Sequence, residues 1–97
     1  PVRPRDALAL RVACEGMGRV AVLVPDHAGW RVAFEGPCED GVLPFTLVVD
    51  DQPGREQTAV VLSQSQLAQG ALQRAVDQQA RGTAIWTTRF AFTKELP

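Results

Sequence analysis

The stretch CEGMGRVAVLVPDHAGWRVAFEGPC, residues 14–38, holds both cysteines of the chain at its two ends. Between them lie two apolar segments of different character. RVAVLVP at 19–25 is almost continuously apolar, so it is expected as a central strand. WRVAFE at 30–35 alternates, with Trp30, Val32 and Phe34 on one face and Arg31 and Glu35 on the other. EGMG at 15–18 and DHAG at 26–29 supply turns, since glycine takes positive φ without strain and Pro25 ends the preceding strand.

Upstream, the period is two: Leu8, Leu10, Val12 and Cys14 fall on one face of a strand beginning at Ala7, with Arg11 on the other. Residues 1–6, PVRPRD, read as a flexible leader. Downstream, GPCEDG at 36–41 is a turn cluster. VLPFTLVVD at 42–50 is a strand with Phe45, Leu47 and Val49 on one face, and Pro44 marks an edge position or a strand onset. DDQPG at 50–54 is the strongest turn signal, and EQTAVVLS at 56–63 a further strand.

The period then changes. Within SQSQLAQGALQRAVDQQARG, residues 63–82, Leu67, Ala71 and Ala75 recur every fourth residue beside Leu72, Val76 and Ala80, with Gln69, Gln73, Asp77 and Gln78 opposite. This is an amphipathic helix of about four turns. Ser63 with Gln66 fits a capping box, Ser65 is a rival N-cap, and Gly82 suits the position after the last turn. Gly70 inside the helix implies close packing against a neighbour. TAIWTTRFAFTKE at 83–95 closes the chain as a long strand, with Trp86, Thr88, Phe90 and Phe92 on one face and Ile85, Thr87, Arg89 and Ala91 on the other.

The order is five strands, one helix, one strand. It predicts a mainly β fold of about six strands, a sandwich or small open barrel, with the helix covering an open end or face. Residues 7–97 form a single domain. A chain of 97 residues buries only roughly 60–70% of its unfolded surface, so a covalent staple would matter to it.

Cys14 closes the first strand and Cys38 follows the third. In an up-down-up meander both lie at the same end, yet two strands flanking a third stand about 9.5 Å apart. A disulfide needs Cα atoms within about 7 Å. A bridge therefore requires the first strand to cross to a second sheet, or the two turns to lean together. A Cys14–Cys38 disulfide is expected, and with it an oxidising compartment. Independent buried thiols are the alternative. The spacing is unlike a redox C-x-x-C pair, and a zinc site would need carboxylates beside the one histidine.

Composition narrows the function classes. Net charge is −1, which supplies no field for nucleic acid or anionic lipid. The longest apolar run, VAVLV at 20–24, is far short of a membrane span. The start PVRPRDALAL lacks a cleavable apolar region, so an exported protein would be in its mature or a trimmed form. Nine arginines against one lysine, with Asn and Tyr absent, fit a GC-rich bacterial genome.

No catalytic constellation is legible. His27 sits in a turn without an evident nucleophile or orienting group. The GMG of 16–18 lacks the third glycine and the helix of a dinucleotide loop. Glu39–Asp40 and Asp50–Asp51 are too few for calcium, and no metal or cofactor is expected. Three outward arginines, Arg11, Arg31 and Arg89, would form a cationic stripe if their strands were neighbours. Trp30 and Trp86 are core residues, with Trp86 a candidate anchor for a partner.

The expectation is a non-enzymatic, extracytoplasmic (periplasmic or secreted) bacterial protein-binding or assembly module. Its build has a fold-level analogy with secretion pilotins, lipoprotein-type domains and protein inhibitors. Its partner would be another protein, met through the arginine stripe or a sheet edge at 42–50 or 83–93. A cytosolic interaction domain with free thiols, and a small ligand-binding barrel, are the alternatives.

Overall fold

A computed structural model describes residues 3, 5–27, 29–48 and 54–94. Its six strands are β1 (Ala7–Ala13), β2 (Arg19–Asp26), β3 (Gly29–Pro37), β4 (Val42–Val48), β5 (Gly54–Ser63) and β6 (Ile85–Lys94), with the helix α1 (Gln69–Gln78) before the last. The fold is mainly β, as expected. One sheet has four strands in the order β3-β2-β5-β6, and the other has two, β1-β4; every pairing is antiparallel.

The layers explain the apolar run of β2. All five residues Val20 to Val24 are buried. Val20, Val22 and Val24 join Cys14, Phe45 and Leu47 in a core between the two sheets. Ala21 and Leu23 join Ala59, Val61, Leu72, Ala75 and Val76 in a second core under α1. The four-stranded sheet is thus a middle layer, covered by the helix on one face and by the small sheet on the other. A strand buried on both faces has no polar side to show.

The strand β3 departs from simple alternation. Val22 pairs with Phe34 but Leu23 with Val32, so a bulge at Ala33 inserts one residue. The extra residue reverses the facing of the residues after it. Trp30 and Val32 pack in the helix-side core, while Phe34 stacks on Phe45 at 6.0 Å between the sheets. The three residues do not share a face.

The helix is shorter than its periodicity. It begins after Ala68, which makes no side-chain cap, and ends at Gln79 in the left-handed region with φ 52°. The expected capping box does not form, because Ser63 is the last residue of β5 and its hydroxyl donates to the Ser65 carbonyl. Gly70 is exposed and meets only the Arg74 side chain, so it marks no close approach. Asp40 and Gly41, at φ 56° and 78°, make a tight turn closed by the Val42 N–H to the Glu39 carbonyl. That is the type I′ geometry an Asp-Gly pair favours. The expected turn at 50–54 and the residue Val49 lie outside the described residues, Gly54 excepted.

At one end of the domain Gly18 is held on both sides. Its N–H donates to the Ser63 carbonyl at 3.0 Å, and its carbonyl accepts from Cys38 N–H at 2.9 Å. A Cβ there would stand 2.8 Å from the Gln64 backbone oxygen. Gly18→Ala is therefore expected to cost about 1–3 kcal/mol, because backbone cannot swing aside as a side chain would. Urea unfolding checks this, and a loss below about 0.5 kcal/mol, the scale of a neutral surface change, would show that the 14–18 turn moves freely.

Thr58 on β5 is fully buried, and its hydroxyl has no hydrogen-bond partner among the described residues. An unpaired buried hydroxyl costs stability that a methyl does not. Thr58→Val should raise the unfolding free energy by about 1 kcal/mol, read as a higher urea midpoint at unchanged m. A lower midpoint would mean that the hydroxyl is hydrated in solution.

Candidate functional site

The two cysteines are bonded, with sulfurs 2.07 Å and Cα atoms 6.0 Å apart. The first strand has crossed to the second sheet, which brings Cys14 over the end of β3. Both cysteines are also held by backbone: Cys14 N–H donates to the Gly41 carbonyl and Cys38 N–H to that of Gly18. The bridge therefore pins the small sheet onto the large one at one end.

Away from that end the cover is incomplete. Two strands cannot roof four. Phe45 of β4 stacks on Phe34 of β3, so the small sheet sits toward the β3 flank. On the other flank β1 stands as a wall above a floor made by β5 and β6. Leu10, Val12, Phe45, Val60, Leu62 and Phe90 line a groove of about 370 Å³ there. Among the described residues that line it, Arg11 alone is charged. Trp86, paired with Leu62, continues the apolar floor toward the disulfide end; it is 40% exposed, with the Arg81 guanidinium 4.9 Å above its ring.

The strand edges around the groove differ from those on the far flank. The edge of β3 carries the bulge and ends in Pro37, and that of β4 contains Pro44. Both devices discourage another strand from pairing. The outer edge of β1 has neither, and pairs with no strand among the described residues. Among the described residues the edge of β6 is covered only at its start, where Thr87 N–H donates to the Ala80 carbonyl and Arg81 bridges to Trp86.

The structure does not bring the three arginines together. Arg11 lies on β1 at the groove rim and has no ion pair among the described residues. Arg31 lies on β3, on the far flank, where it lines a separate polar cavity with Glu56 and Thr46. Arg89 lies on β6, on the face that the helix covers. The three strands are not neighbours, so no stripe forms.

Arg89 has a structural partner instead. Its Nη2 donates to the Val76 carbonyl at 2.7 Å, and its guanidinium lies 5.3 Å from the Trp30 ring centre. The last turn of α1 carries no basic residue of its own. A cation from β6 thus meets the negative end of the helix. Arg89→Met should cost about 1–2 kcal/mol and speed amide exchange at Gln79 and Ala80. Unchanged exchange there would mean that the contact does not hold the helix end.

His27 is exposed in the β2–β3 turn. Among the described residues no group of three or more His, Cys, Asp or Glu could hold a metal ion. Glu39 and Asp40 sit with Arg11 and Pro44 around a shallow cavity on the β4 side. Asp50 and Asp51 lie outside the described residues. No described helix is long and apolar enough to cross a membrane.

Family models, curated proteins and solved structures yield no match to the chain. The groove was not legible in the sequence. The signal for it was the mismatch between a face carrying Trp86, Phe90 and Phe92 on one strand alone and a second sheet too narrow to cover it.

Proposed function

We propose that this chain is a non-enzymatic, extracytoplasmic bacterial protein-binding or assembly module that receives its partner in the groove between β1 and β6. One observation carries the reading: an apolar groove lies beside a strand edge that has neither proline nor bulge, while the far-flank edges have them. Exposed apolar grooves of this kind mark interaction surfaces in soluble proteins. The disulfide supports a compartment outside the reducing cytoplasm.

The test is photo-crosslinking in the cells that natively express the chain. A benzoylphenylalanine at Thr88, exposed at the groove, should give one discrete adduct with a partner polypeptide. The same group at Asp77, exposed on the helix, should not. No adduct from Thr88, or the same adducts from both positions, would overturn the reading. Alkylation of the native protein in those cells should find both thiols blocked before reduction; free thiols would place it in the cytosol.

A further inference from the structure

We propose, resting on that reading of the groove, that the occupant is one extended segment of a partner protein. It adds to β1 as the third strand of the small sheet, with apolar side chains toward β6 and a carboxylate beside Arg11.

The geometry of the two sheets sets the shape of the occupant. Neighbouring strands stand about 4.8 Å apart and packed sheets about 10 Å. With β1 as wall and β5 and β6 as floor, the open position has a strand edge on one side and an apolar surface beneath. A helix would leave the edge of β1 unpaired. A strand satisfies it and covers the floor at once.

A second copy of this chain fits poorly. Any β1 it offered would bring its own four-stranded sheet beneath it, into the space held by β5 and β6 of the first. The segment must arrive without a sheet under it. That describes a free arm, terminus or loop.

The period of β1 sets its chemistry. Leu8, Leu10 and Val12 face the large sheet, while Ala9, Arg11 and Ala13 face outward. A neighbouring strand must follow the same alternation. Its inward residues would rest on Thr88, Phe90 and Phe92, so they are apolar. Its outward residues lie beside β1's outer face, where Ala9 and Ala13 offer no charge and Arg11 does. Among the described residues Glu39 and Asp40 adjoin Arg11 only from the β4 side, leaving the groove side without a carboxylate. Complementarity selects an acidic residue there.

The experiment uses four eleven-residue peptides, with Val, Ile and Phe at alternate positions and Thr between. The first carries Glu at the central outward position, the second Lys, and the third and fourth are the Glu peptide with N-methylated backbone amides on one edge or on the other. Fluorescence anisotropy at low salt should show the Glu peptide binding about three- to tenfold more tightly than the Lys peptide. With Arg11→Glu the order should reverse, a swap that lost folding alone cannot produce. One of the N-methylated variants should lose binding, and the parent peptide should slow amide exchange within Ala7–Ala13.

Equal binding of the Glu and Lys peptides overturns the charge assignment. Full binding by both N-methylated peptides overturns strand addition, as does no binding by any peptide. A concentration-dependent dimer that Arg11→Glu dissolves would make the occupant a second copy and overturn the proposal likewise. In each of those cases a discrete Thr88 adduct with another polypeptide would still leave the groove as the partner's site, so the two failures are distinguishable.

Discussion

The double substitution Cys14→Ala with Cys38→Ala should lower the unfolding free energy by about 3–4 kcal/mol and the melting temperature by roughly 15–25 °C. The bridge spans 24 residues. In the chain-entropy account, closing a loop of that length removes most of this amount from the unfolded ensemble. The native end of the domain should persist without the bond. Cys14 N–H still reaches the Gly41 carbonyl, Cys38 N–H still reaches that of Gly18, and Gly18 still reaches Ser63. Far-UV circular dichroism at room temperature should therefore be unchanged, while the m-value rises as the unfolded chain expands. Cys14 is only 1% exposed, so the alanine also leaves a small cavity that adds to the loss. A melting temperature lowered by less than about 5 °C, the shift that roughly 1 kcal/mol produces in a domain of this size, would mean that the sheets are held together without the bridge.

Leu23→Ala should cost about 3–4 kcal/mol. Leu23 is fully buried in the core under the helix, among Ala21, Ala59 and Ala75. The members of that core, Val61, Leu72 and Val76 among them, belong to paired strands or to the helix, so little can move in to fill the space. Large-to-small costs rise with the cavity that remains, which puts this site in the upper part of the usual range. The helix should loosen first: amide exchange in Leu72–Val76 should quicken more than in Val20–Val22, which keep their cover from the small sheet. Leu10→Ala is the contrast. Leu10 is half-buried on the groove wall and should lose only about 1 kcal/mol. Equal losses at Leu23 and Leu10 would contradict the three-layer arrangement.

The period-two segments were legible because alternation records which face meets a core. Strands β1 and β4 follow it closely, whereas β2 betrays its central place by lacking a polar face, as β5 does from Thr58 to Val61. The helix was legible in kind but not in extent. Ser63 and Gln66 make a good cap by sequence alone, yet Ser63 belongs to the ladder with Arg19 and Ile85, and strand pairing holds it there. In β3 a single inserted residue, invisible to composition, turned Phe34 to the other face. Arg89 reads as a surface charge, but only the docked helix gives it a carbonyl to meet.

Local pattern therefore settled the elements, their order, and the condition for joining Cys14 to Cys38: that the first strand leave the sheet of the second and third, or that the two turns lean together. Which sheet each strand entered was decided only on folding, because backbone edges pair by geometry and carry no side-chain label. The groove beside β1 comes from that division into four strands and two, a difference in width that no single segment encodes.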